Sequence, residues 1–294
     1  MPGLKTALFF AIQVLLAAFF LTRAPFTMTT SPPTKQWADG PCPLVQTPQY
    51  KTKKTDVFTT GATHMAHIHN AILRGYNSIY LQAPHITHED KNDFIGYAQA
   101  WFRFVKSHHD DEEAELFPKV EEVMGRKDLW TETHKEHESF LAGLAEFNEY
   151  LSTLGEPFDF DGKKLISIMD KFQEPFNKHF HHEIETIASF ADLPEAKKAE
   201  EAAAIFKAWG KKTVTKAGTT DVVPFFLLNL DTTYEEGMWA SWPPMPAPIR
   251  WGLVNIAGAY HWAWWKFSSC DSAGKPRELY ALHVPEKPLT GASS

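Results

Sequence analysis

Four short stretches of the chain carry residues that could hold metal: His69, His108 with Glu112, His137, and His179 with Glu183. An imidazole supplies a terminal nitrogen ligand, and a carboxylate can bridge two cations. Four imidazoles and two bridging carboxylates suit a pair of intermediate divalent metals, with iron the natural redox-active choice. His-x-x-x-Glu places both side chains on one helical face, and the unit occurs twice. A lone histidine on an apolar stripe is usually a hydrogen-bonded core residue, so His69 or His137 alone would mean little. A core-facing glutamate is different: without a partner it costs on the order of several kcal/mol. Ferritin-type sites use Glu-x-x-His on two helices with further glutamates, and this histidine-first pattern fits them less well.

Four amphipathic helices must position these residues, and the apolar periodicity supplies them. The first starts near Thr60 or Thr63, carries Met65, His69, Ile72, Tyr76 and Ile79 on one stripe, and ends before Pro84. The loop APHITHEDKN follows. The second begins near Asn92-Asp93 with the stripe Phe94, Ala98, Trp101, Val105, His108, Glu112, Leu116; Pro118 kinks or ends its first part and Gly125 stops the remainder. The third runs from Trp130 through Thr133 or His134, His137, Phe140, Leu144, Phe147 and Leu151 to Gly155. The fourth carries Leu165, Ile168, Phe172, Phe176, His179, Glu183 and Ile187, with a kink expected at Pro175. His109, His181 and His182 fall off the stripes, as surface or supporting groups. Glu113 reads as a solvated charge.

The flanks differ in composition. Ala7–Leu21 is an unbroken non-ionic run spanning roughly 23 Å as a helix, short of a bilayer core of about 30 Å. Residues 1–27 therefore read as a signal peptide or membrane anchor, with membrane contact through 7–22; the alternative is a cytoplasmic protein started at Met28. Residues 28–58 form a Pro/Thr/Lys-rich arm without helix, from which Trp37, Leu44 and Val45 could dock on the core. After residue 190 come a surface helix over Glu195–Trp209, the apolar run DVVPFFLLNLD, a tryptophan-rich tract from Trp239 to Lys266 and a tail from Ser272. The prolines in that tract argue against a membrane span. A net charge of −7 excludes a general nucleic-acid binder. Two cysteines, Cys42 and Cys270, cannot build a disulfide framework.

HHDDEEAELFP, HKEHESF, HFHHE and HNAILRGYNSIY resemble, respectively, the second, third, fourth and first helices of the hemerythrin-like, or HHE cation-binding, family. The resemblance covers about residues 59–190. It implies an all-α, up-down-up-down four-helix bundle with a di-metal core, two iron ions joined by an oxo or hydroxo bridge, and dioxygen or another small diatomic as ligand. It selects the same six residues as metal ligands. Oxygen carriers of the family have a second histidine four residues before the third-helix ligand. Thr133 stands there, and His134, three residues before His137, is the candidate extra ligand. The last carboxylate is Glu after three intervening residues, where the carriers use Asp after four. Both departures point away from a dedicated oxygen carrier. The expected function is metal and dioxygen binding, sensing or buffering. The rivals are a di-iron oxidoreductase acting on peroxide, nitric oxide or an organic substrate, and a structural module stapled by metal. An aromatic-rich extension over 191–294 is expected to pack on the bundle.

Overall fold

The computed structural model describes residues 37–210 and 216–283. The apolar run 7–22, the assignment of 1–27 and the last part of the tail lie outside the described residues. Among the described residues the chain is helical, without strands; an isolated bridge joins Cys270 and Pro276. Among them no helix is long and apolar enough to cross a membrane.

A short helix, α1 (Pro48–Thr52), interrupts the arm that was expected to lack one; Pro48 at its first position needs no donor there. The long helix α2 (Val57–Gln82) starts three residues earlier than expected. Asp56 caps it, its carboxylate accepting from the Thr59 amide. Two single-turn 3₁₀ segments, Ala83–His85 and His88–Asp90, replace the plain loop. Helix α3 (Lys91–Asp111) leads into a widened π-type turn, Glu112–Leu116, and then α4 (Phe117–Met124). Pro118 has no N–H and its ring crowds the preceding turn. The chain responds by widening rather than ending: the Phe117 amide donates to Glu112 O. Gly125, at φ 72°, closes the helix as expected.

Helix α5 (Thr131–Ser152) stops short of Gly155. The fourth expected helix is two, α6 (Gly162–Met169) and α7 (Gln173–Ser189), broken in front of Pro175 for the reason that widens the turn before Pro118. The helices α2, α3, α5 and α7 close into a ring: α2 packs on α3 and α7, and α5 on α3 and α7. Every residue of the first two apolar stripes is buried. Phe140, Leu144, Phe147, Phe172, Phe176 and Ile187 complete the interior.

Further helices follow. Helix α8 (Ala199–Gly210) was expected on the surface, yet it packs on α2 and buries Ala202 and Trp209. Helix α9 (Val222–Leu228) is buried throughout and lies against α2 and α3. Helix α10 (Ala247–Gly252) lies within the tryptophan tract and leaves Trp251 exposed. The segment from Ser272 is no simple tail: Leu279 is fully buried, and Arg277 donates to Ser268 O and Trp265 O. Cys42 and Cys270 are free and buried, and burial pushes their thiols up to about 12 and about 11.

Helix α2 is buried on almost every side, because a second stripe opposite the first is polar and covered. Asn70 accepts from the Val45 amide at 2.7 Å and donates to Val45 O. Asn77 does the same for Cys42 and also donates to Ala38 O. Between them Arg74 pairs with Asp231 at 2.8 Å and Asp39 at 3.2 Å. Val45 and Leu44 dock as expected, but amides do the strapping. Asn77→Ala would leave the Cys42 amide and two carbonyls unpaired. It should cost roughly 1–3 kcal/mol or more, read as a lower denaturant midpoint and faster proteolysis within 37–56. An unchanged midpoint and cleavage rate would show the arm only draped over α2.

Candidate metal centre

The four ring helices bring the six expected residues into one buried place. His69 comes from α2, His108 from the last turn of α3, and Glu112 from the widened turn directly after it. His137 comes from α5, and His179 and Glu183 from α7. None is more than 2% exposed.

Each carboxylate sits between two imidazoles. Glu112 Oε1 is 3.0 Å from His108 Nε2, and its Oε2 is 3.7 Å from His137 Nε2. Glu183 Oε2 is 3.3 Å from His69 Nε2 and 3.6 Å from His179 Nε2. The rings are neighbours as well, His137 and His179 at 4.4 Å and His69 and His108 at 5.3 Å between centroids. One ligand atom each of His69, His108 and Glu112 lies within 4.8 Å of the others.

The hydrogen bonding tests whether a cation fits. Both oxygens of both glutamates lack a hydrogen-bond partner, as do Nε2 of His69, His108 and His137. So many buried, unpaired polar atoms in one place are expensive in a plain core. Two of the outer nitrogens are engaged, while Nδ1 of His108 and of His179 has no hydrogen-bond partner. His69 Nδ1 donates to Phe180 O at 2.8 Å, since a carbonyl can only accept, and His137 Nδ1 lies 2.6 Å from Glu113 Oε1. Those bonds leave the Nε2 lone pairs facing inward, as metal-ligating imidazoles require. The residues fit a cation site.

Electrostatics agree. Burial, aided by the surrounding imidazoles, holds His108 and His179 far below the usual imidazole range, so both are neutral. Burial pushes Glu112 well up, and the negative charge of Glu183 adds to this. Burial also raises Glu183, but its contact with His69 and the nearby His179 and His137 outweigh it, and the net shift is downward.

Three residues were missed. Glu113, expected in solvent, is half-buried and contacts both His134 and His137. Burial opposes its ionisation, but these two bonds win and hold it at about 2. Glu136 is buried beside the site, 3.7 Å from His179 Nδ1 and hydrogen bonded at 2.9 Å to His182 Nδ1. The one available signal was adjacency: Glu113 follows Glu112, and Glu136 precedes His137. The ring of Trp209 in α8 lies 5.5 Å from that of His108, tilted by 49°, and no motif announced it. His134 is not brought into the centre; its side chain is 45% exposed.

Comparison with known proteins places the geometry. The hemerythrin HHE cation-binding domain matches residues 60–191. Over 267 residues the chain is 30% identical to the dimeric xanthone biosynthesis cluster protein R11 of Cryptosporiopsis sp. (strain 8999). That alignment covers 88% of this chain and 98% of the relative. The chain belongs to the hemerythrin HHE cation-binding family. No solved structure matches it. The family domain contains the whole buried cluster, and the relative's alignment extends well beyond the domain.

A cation held by Glu112 would need its carboxylate form, while burial and the charge of Glu183 favour its acid form. Binding should therefore release a proton, and affinity should fall as pH is lowered. Titration calorimetry in two buffers of different ionisation enthalpy measures this; equal heats in both would contradict it. Glu113→Ala should weaken metal binding about 10–100-fold by freeing the His137 ring, seen in competition with a chelator. Unchanged affinity would deny it an orienting role.

Proposed function

We propose that the family domain forms an up-down-up-down four-helix bundle that holds two iron ions and binds dioxygen or another small diatomic molecule. The observation that carries this reading is the pair Glu112 and Glu183. Each is fully buried between two imidazoles, with both oxygens unpartnered. His69, His108, His137, His179, Glu112 and Glu183 would hold the metal. Bound there, two iron ions supply redox chemistry and open positions for a small ligand.

The chain's own contribution is position and dryness. Phe180 O and Glu113 fix two of the imidazoles. Phe140 and Phe180 lie against the histidine rings, with centroids 4.5 Å apart for His69 and Phe180 and 5.3 Å for His179 and Phe140. Ile72, Trp101, Leu144, Phe172 and Phe176, all buried, continue that wall and exclude water. The 37–58 arm and the extension over 191–210 and 216–283 act as clamps around this core.

One observation favours a second reading, a di-iron oxidoreductase acting on an organic substrate. The relative named for a biosynthesis cluster aligns across the extension as well as the domain, and Trp209 from that extension touches a candidate ligand. The cleft of about 480 Å³ lined by His85, Asp90, Lys266, Arg277 and Tyr280 does not serve that reading. It lies at the far end of α2, about 20 Å along the helix from His69.

Anaerobic loading with ferrous iron, then oxygen, separates the readings. Absorption that appears with oxygen and reverses under argon supports binding. Irreversible change with turnover of an added organic substrate supports the oxidoreductase. Iron-loaded protein that ignores oxygen contradicts both.

A further inference from the structure

The six buried residues are sealed from solvent, so a cation must reach them past other groups. At two places a surface histidine connects inward through a glutamate. On one side His134 contacts Glu113 and Glu113 contacts His137. On the other, His182 contacts Glu136, which approaches His179. Both glutamates are flanked by imidazoles, but their charge environments differ. Glu136 also faces the ammonium of Lys178 at 3.4 Å, which opposes a cation. Among the described residues no lysine or arginine pairs with Glu113.

The Glu113 side has a further imidazole. The His109 ring lies 4.4 Å from that of His137 and is 13% exposed. Its Nδ1 is directed at Asp110 Oδ1, 3.2 Å away, which leaves Nε2 as the other ligand atom. One ligand atom each of His109, Glu113 and His137 lies within 4.8 Å of the others. His137 faces both ways: Nδ1 lies on Glu113, while Nε2 faces Glu112 at 3.7 Å.

We propose that His109, Glu113 and His134 form an entry site for divalent cations, which passes metal through His137 into the buried centre. The proposal rests on the metal-binding reading above. Glu113 supplies the negative charge that draws the cation, and the two imidazoles replace part of its hydration shell. His137, whose Nδ1–H donates to Glu113 and whose Nε2 faces Glu112, is the first inner ligand that the cation meets. No electrons or covalent bonds change in this step; a cation exchanges water for protein ligands and then exchanges outer ligands for inner ones.

The test uses the full chain stripped of metal, mixed with excess cobalt(II) without oxygen. Uptake is followed by the visible cobalt bands and the final content by metal analysis. Charged clefts speed cation capture by about tenfold or more. His109→Ala and His134→Gln should each fill the centre about tenfold more slowly and reach the wild-type plateau. His181→Ala, altering a histidine bonded only to Asn177 O, should load at the wild-type rate. His134 is half-exposed, so its variant folds even if another does not. Wild-type rates in both entry variants overturn the proposal. A lowered plateau in His109→Ala also overturns it, because His109 would then belong to the inner set. Wild-type chain that takes up no cobalt overturns the metal-binding reading itself, a result distinct from the other two.

Discussion

Two carboxylates with no hydrogen-bond partner, buried among four imidazoles, are the constraint on which the rest of this structure depends. A core of this size could bury leucine at Glu112 and Glu183 and be more stable for it. Instead it keeps groups whose desolvation a bound cation would offset. Much of the surrounding architecture holds those groups in place. The widened turn before Pro118 sets Glu112 inward while Glu113, one residue on, reaches His137. The Phe180 carbonyl fixes His69.

The stripes of the first two helices were legible because apolar and ligand residues shared one helical period, and packing followed the period. Pro118 and Pro175 were legible as disturbances, but not their form, since a missing donor can be met by a wider turn or by a break. The polar face of α2 was illegible for a plain reason. Asn70, Arg74 and Asn77 look like a solvated face until the arm and Asp231 lie over them. Glu113 and Glu136 were hidden likewise: an acid beside a candidate ligand is a surface charge or a ligand's support, and only the neighbouring helix decides which. His134 shows the reverse, a histidine within reach by sequence that points outward.

The extension gives the centre a setting that the family domain alone does not. Trp209 covers His108, α9 fills the groove between α2 and α3, and Trp239 and Trp242 enclose His67 at 4.9 and 4.6 Å. Enclosure without a partner for Nε2 drops His67 to about 3, so that face of α2 is held by neutral aromatic contact. Chain outside the domain thus bears directly on the helices that carry the ligands, in keeping with an alignment to the relative that does not stop at the domain boundary.

The central claim is that the unpaired carboxylates exist for metal. The most direct measurement is metal content with thermal stability, for the wild-type chain and for Glu112→Gln and Glu183→Gln, each reconstituted anaerobically with ferrous iron. The account predicts about two iron ions per chain, as the two-carboxylate donor set implies. Loading should raise the melting temperature, and each glutamine variant should lose both the metal and that rise. Wild-type chain that binds no iron and melts at the same temperature with and without it would contradict the account.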